Sequence, residues 1–170
     1  MNTLTRLLTG GAGLAVAVGG LLAPASLASA STPTCGNADL TASYRHSDDG
    51  AGHSYGWIVL RNTSGHTCST GGFGGISYVG DGNGTQIGAA AVRVGGAAKT
   101  YVLVPGQRLR SQVDEVTALN YPRKTCRRRH VDGFRIYVPN STLSQYVVHP
   151  TTGCRNHHVK LIHHKPYRRP

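Results

Sequence analysis

Carboxylates are what this chain has least of: seven aspartates and glutamates stand against eighteen lysines and arginines, for a formal charge of +11. Two doublets, Asp48-Asp49 and Asp114-Glu115, hold four of the seven. Neighbours on a strand point to opposite faces, so neither doublet alone supplies the converging pair that glycoside hydrolysis requires. A nucleophile elbow is also missing, because GISYVG at residues 75–80 carries one residue too many for GxSxG. GDGNGTQIG at residues 80–88 lacks the spacing and strand-to-helix setting of a dinucleotide loop. No close cysteine pair exists to hold zinc. His157 and His163 would share a strand face about 20 Å apart, so these two, with His158 and His164, read as surface imidazoles and not as a metal site. A non-enzymatic protein without metal or cofactor is the expectation.

What is present begins with the N-terminus. Arg6 precedes an uncharged stretch over residues 7–27 that closes on Ala28-Ser29-Ala30, the pattern of a signal peptide, residues 1–30, cleaved after Ala30. Cys35 follows Thr32-Pro33-Thr34 and not a lipid-attachment box, so a freely secreted protein is expected, extracellular or associated with the cell wall. No integral membrane segment is expected after cleavage. An even number of cysteines in an exported chain, Cys35, Cys68, Cys126 and Cys154, argues for two disulfides. Three pairings are open. Pairing chain neighbours is preferred, and the loop-entropy model gives about 3.5 to 4 kcal/mol for each such bridge.

After residue 30 the apolar pattern is short and interrupted by glycine, of which there are 23. SYGWIVLRN at residues 54–62 reads as a central strand, with Trp57 as a buried tryptophan. GISYVG, GAAAVRVG, TYVLVPG, QYVVHP and HVKLIHH read as further strands, separated by turns such as DGNG at residues 81–84. GFRIYVP alternates, with Phe134, Ile136 and Val138 on one face. RLRSQVDEVTALN at residues 108–120 suits either a helical turn or a strand and loop. The expected fold is all-β, an antiparallel immunoglobulin-like β-sandwich stabilised by disulfides, over residues 31–164. A mobile, unpaired basic tail at residues 165–170 and a monomeric state complete that expectation.

The densest charge lies at Arg123, Lys124, Arg127, Arg128 and Arg129, beside Cys126 and His130. Guanidinium forks there could clamp phosphates or carboxylates, or the run could be a solvated connection anchored by its cysteine. Anionic cell-envelope polymers are the partners such a charge suits, with no specific nucleic acid expected. Asn62, Asn83 and Asn140 each head a glycosylation-type triplet.

GWIVLRNTSGHTCSTGGFGGISYVGDG, residues 56–82, resembles a family of exported actinobacterial proteins catalogued as domain of unknown function 4232. The likeness rests on Cys35, the Asn62-x-Ser64 strand end, Cys68, the Gly72-Phe73 turn, LVPGQ at residues 103–107, and the late cysteines flanking FRIYVP. The chain departs from the family in having Gly74-Gly75 where a proline is usual, and in lacking a lipid-attachment cysteine or a serine/threonine-rich spacer. The resemblance implies a β-sandwich, two bridges and secretion, and carries no reaction with it. The leading expectation is therefore a secreted, non-catalytic protein that binds envelope or extracellular polyanions through a basic face. One alternative is an extracellular enzyme on wall carbohydrate or peptide, using Asp114, Glu115 and His130. Another is a protein-binding or inhibitor domain presenting the GGFGG loop.

Overall fold

The computed structural model describes residues 31–170, and the expected signal segment lies outside the described residues. Eleven strands form three sheets among them. They are β1 (Leu40–Gly50), β2 (His53–Asn62), β3 (Cys68–Gly71), β4 (Gly75–Gly80), β5 (Thr85–Ile87), β6 (Val92–Arg93), β7 (Thr100–Leu103), β8 (Arg108–Val116), β9 (Arg128–Tyr137), β10 (Ser144–Cys154) and β11 (Ile162–His164). A five-stranded sheet runs β1-β2-β8-β11-β6, a four-stranded sheet β10-β9-β4-β5, and a two-stranded ribbon β3-β7. All pairings between strands are antiparallel except β11 with β6. The fold is all-β, as expected. The described helix is limited to a 3-10 turn at Ala118–Asn120 and one α-turn, α1 (Arg123–Cys126). No helix among the described residues is long and apolar enough to cross a membrane.

The core follows from alternation. Ile58 and Leu60 on β2 and Leu109 and Val113 on β8 enter it from the five-stranded sheet, while Ile76, Phe134 and Ile136 enter it from β4 and β9. Burying an aliphatic or aromatic side chain of this size contributes about 1.5–3 kcal/mol. β2 is interior in its sheet, between β1 and β8, and buries Ile58 and Leu60 on one face while Trp57 and Val59 on the other stay half-buried. Trp57 thus belongs to the outer face, with the Arg110 guanidinium 4.2 Å above its ring. The expectation of a core tryptophan is therefore corrected. β10 runs on past Pro150 to Cys154 because a register shift between Val148 and Thr151 takes up the proline, which has no N–H for the ladder.

Both disulfides join chain neighbours, Cys35 to Cys68 and Cys126 to Cys154, and all four cysteines are buried. Asn62 is no glycan acceptor in this fold. It is fully buried; its Nδ2 donates to the carbonyls of His66 and Leu103, and its Oδ1 accepts from Ser64 N–H and Oγ–H. The Asn-x-Ser triplet thus fastens the end of β2 to the end of β7.

The mobile tail is also corrected. Tyr167 is 1% exposed and exchanges backbone hydrogen bonds into the core edge: its N–H donates to Gly72 O, while Arg168 and Arg110 bond reciprocally. Lys165 N–H reaches Gln112 O, so residues 165–168 continue the line of β11 along β8. His164 likewise proves buried and not a surface imidazole, with its Nδ1 3.4 Å from Ser111 Oγ. Alternation along β11 places it inward with Ile162, and the Phe73 ring meets it edge-on.

Two expectations follow. Deleting residues 167–170 should cost about 3–5 kcal/mol, the usual range for losing a buried aromatic, read as a shift in urea midpoint. A change under about 0.5 kcal/mol would restore the mobile-tail reading. For His164, burial and secondarily the Arg93 charge bring the pKa down to about 4 from 6.5. The folded form prefers the neutral ring, so this stabilisation is present above pH 6.5 and is lost as pH falls through 4. Linkage sets its size at roughly 3 kcal/mol. Urea titrations between pH 7 and 4 should show a smaller acid loss in His164→Gln than in the parent.

Candidate functional site

Two polar assemblies stand out, and the first contains the arginine run. Pro122 leads into α1, and Arg127 leaves it in the left-handed region at φ 51°, which turns the chain into β9. The run is consequently split: Arg127 lies on the connection, and Arg128 and Arg129 are already strand. The Cys126–Cys154 bridge holds this turn against the end of β10, where Arg155 N–H donates to Arg127 O. Arg123, Arg127, Arg128, Arg129 and Arg155 line one open depression of about 470 Å³. Lys124 is exposed on α1 but does not line it.

The five guanidiniums are not equivalent. Arg128 donates to the carbonyls of Leu119 and Tyr121 at 3.2 and 3.0 Å, which makes it a structural tie. Arg129 and Arg155 both pair with Asp81, at 2.6 and 3.1 Å. Arg129, with Arg155 beside it, holds the Asp81 carboxyl below the usual carboxylate range. Arg123 and Arg127 remain without a carboxylate partner among the described residues. Arg155 was not among the residues singled out from the sequence; its position directly behind Cys154 was the available signal.

The second assembly surrounds Glu115, the single glutamate of the chain. Asp114, Glu115 and His130 do not come together. Asp114 faces outward and pairs with His53 at 2.6 Å, His130 lies 3.4 Å from Asp132 on the surface, and Glu115 points inward. Glu115 instead meets Tyr44 of β1, Tyr78 of β4 and His149 of β10. Tyr44 Oη–H donates to Oε1 at 3.0 Å, Tyr78 Oη–H donates to Oε2, and His149 Nε2 lies 2.9 Å from Oε2. His149 stacks on Phe134 with centroids 4.4 Å apart and planes 6° from parallel. Gly56 makes room for this, because a Cβ there would collide with the Tyr44 ring. A cavity of about 280 Å³ opens over Glu115, Tyr78 and His149, rimmed by Ser54, Thr151 and Thr152. His149 escaped sequence reasoning because QYVVHP reads as an ordinary strand.

The GGFGG loop presents no free apolar knob: Phe73 is half-buried, edge-on to His164 and under Arg93. Asp39, His66 and the Cys68 sulfur come within 4.8 Å of one another, but the sulfur is bonded to Cys35 and offers no thiolate.

In comparisons with known proteins, a family model described as Domain of unknown function (DUF4232) matches residues 35–163. No curated protein matches the chain, and no solved structure does.

The Glu115 assembly has a measurable signature in alkali. Burial first, and then the Glu115 charge, push the Tyr44 and Tyr78 hydroxyls above the usual tyrosine value. The folded protein keeps both protons where the unfolded chain releases them, so their stabilisation is present below about pH 10 and is lost as pH rises beyond it. Urea midpoints between pH 8 and 11 should therefore fall more steeply in the parent than in Tyr44→Phe/Tyr78→Phe. At neutral pH each substitution should cost about 1.5–3 kcal/mol through the lost hydrogen bond to a charged group. Equal alkaline slopes in parent and variant would contradict this account.

Proposed function

The chain belongs to the family described as Domain of unknown function (DUF4232), and we propose that it is a secreted, non-catalytic protein that binds anionic envelope polymers through the arginine depression. The observation that carries the reading is convergence: the Cys126–Cys154 bridge draws Arg155 beside Arg123 and Arg127, which no carboxylate among the described residues neutralises. A pre-set turn lowers the entropy lost when those side chains close on an anion. Phosphate or carboxylate groups in repeat would then find planar donor forks at a fixed spacing.

An immunoglobulin-like sandwich is the arrangement we propose for the two larger sheets, supported by their alternating contribution to one core. Secretion is supported by the two disulfides together with the N-terminal pattern. The non-catalytic reading draws on the separation of Asp114 and His130 from Glu115, whose carboxylate is already engaged by three donors.

Binding to a purified cell-wall polymer fraction should weaken linearly in log affinity against log salt, the mark of counterion release. Arg123→Glu/Arg127→Glu should bind about tenfold or more weakly at low salt while keeping the parent's thermal midpoint. Salt-independent binding, or undiminished binding by that variant, would reject the depression as the contact.

A further inference from the structure

We infer that the outward face of the five-stranded sheet is a docking surface for a polyol-phosphate chain, a linear polymer in which phosphodiesters alternate with short hydroxylated spacers. This surface is separate from the arginine depression, and the inference does not rest on it. Cross-strand partners point to the same side of a sheet, so the register lays out the face in rows. Thr41, Arg61 and Arg108 form one row; Ser43, Val59, Arg110 and Arg168 the next; Arg45, Trp57 and Gln112 the third.

Arg61 stands directly opposite Arg108, and Arg110 directly opposite Arg168. Like charges in that relation repel and destabilise a sheet. Arg129 and Arg155 are relieved by Asp81, whereas none of the five on this face pairs with a carboxylate among the described residues. Arg110 Nε is moreover buried with no hydrogen-bond partner among those residues. The carboxylates of the face, Asp48 and Asp114, are confined to the following row, where Asp114 is taken by His53. Two opposed pairs of cations with no anion between them describe a surface completed by an anion from outside.

The chemistry of that anion follows from the pairs. A carboxylate and a phosphodiester each offer two charged oxygens, but the carboxylate holds them in one plane that a single guanidinium fork fills, whereas tetrahedral phosphorus projects its two non-bridging oxygens toward donors on either side. Successive rows on one face are about 6.8 Å apart, which suits a polymer with a charge at each repeat. A nucleic acid strand would also need open aromatic faces for its bases. Trp57 does not provide one, because Arg110 lies 4.2 Å and Arg168 5.5 Å from its ring. A lipid surface would need apolar side chains to insert, and the exposed large apolar residues, Val102, Val104, Leu119, Leu143, Tyr146 and Val148, all lie off these rows.

The test measures binding of a labelled poly(glycerol phosphate) oligomer by fluorescence anisotropy across a salt series. Arg61→Glu should weaken binding about fivefold or more and lower the log–log salt slope by about 0.7, one phosphate contact on a single strand. Its thermal midpoint should hold or rise, because the substitution sets a carboxylate opposite Arg108, and this separates lost contact from lost fold. Lys160→Glu, an equal charge change on an exposed turn, should bind within about twofold of the parent. Polyglutamate of equal charge, oligothymidylate and phosphatidylglycerol vesicles should each bind more weakly than the oligomer. Parent-like binding by Arg61→Glu, an equal loss in Lys160→Glu, or equal affinity for any of those three competitors would overturn the assignment.

Discussion

A carboxylate removed from water must be given donors, and Glu115 receives its donors from both large sheets. Tyr44 reaches it from β1 of the same sheet, across the intervening β2, while Tyr78 and His149 cross from the other sheet. Taking such a charge out of water costs several kcal/mol, which only a full set of hydrogen bonds offsets. The two sheets are thereby committed to one relative placement, since sliding either by a residue would strand the charge. Apolar packing around Ile58, Phe134 and Ile136 supplies most of the driving force, but it is tolerant of small displacements in a way that this polar knot is not.

Around that knot, the remaining constraints act at the ends of strands. The Cys35–Cys68 bridge and the Asn62 side chain fasten the β3-β7 ribbon to the ends of β1 and β2. The Cys126–Cys154 bridge does the corresponding work where β9 begins and β10 finishes. Positive charge is sorted by the same scaffold into two separate places: an end depression, where Asp81 cancels part of it, and a sheet face, where nothing among the described residues does. The high net charge read from composition is therefore not evenly spread.

How much of this was legible depended on the residue type that carried each feature. Apolar alternation announced the inward face of β9, the apolar run of SYGWIVLRN announced the interior position of β2, and the even cysteine count announced two bridges while leaving three pairings open, of which the preferred one formed. β8 stayed ambiguous because Ser111 and Glu115 occupy core positions, so its buried register does not look apolar. β1 was missed for the complementary reason: beyond Tyr44 its residues are polar and exposed, and only pairing with β2 makes them a strand. Of the candidate anion site, Arg123, Arg127, Arg128 and Arg129 were visible as a run, whereas Arg155 was brought in by a bridge. His149 carried no local signal at all, since its role depends on a partner 34 residues away in the chain.

The strap formed by residues 165–168 has a temporal meaning as well as a structural one. A chain that emerges N-terminus first presents β8 with β2 on one side and nothing on the other until residues 162–168 arrive. During that interval β8 is an open sheet edge, a template for pairing with other molecules. Tyr167 enters the core edge only after every strand of the described fold has emerged. The five-stranded sheet is thus completed late, and whatever protects the growing polypeptide must guard that one edge longest.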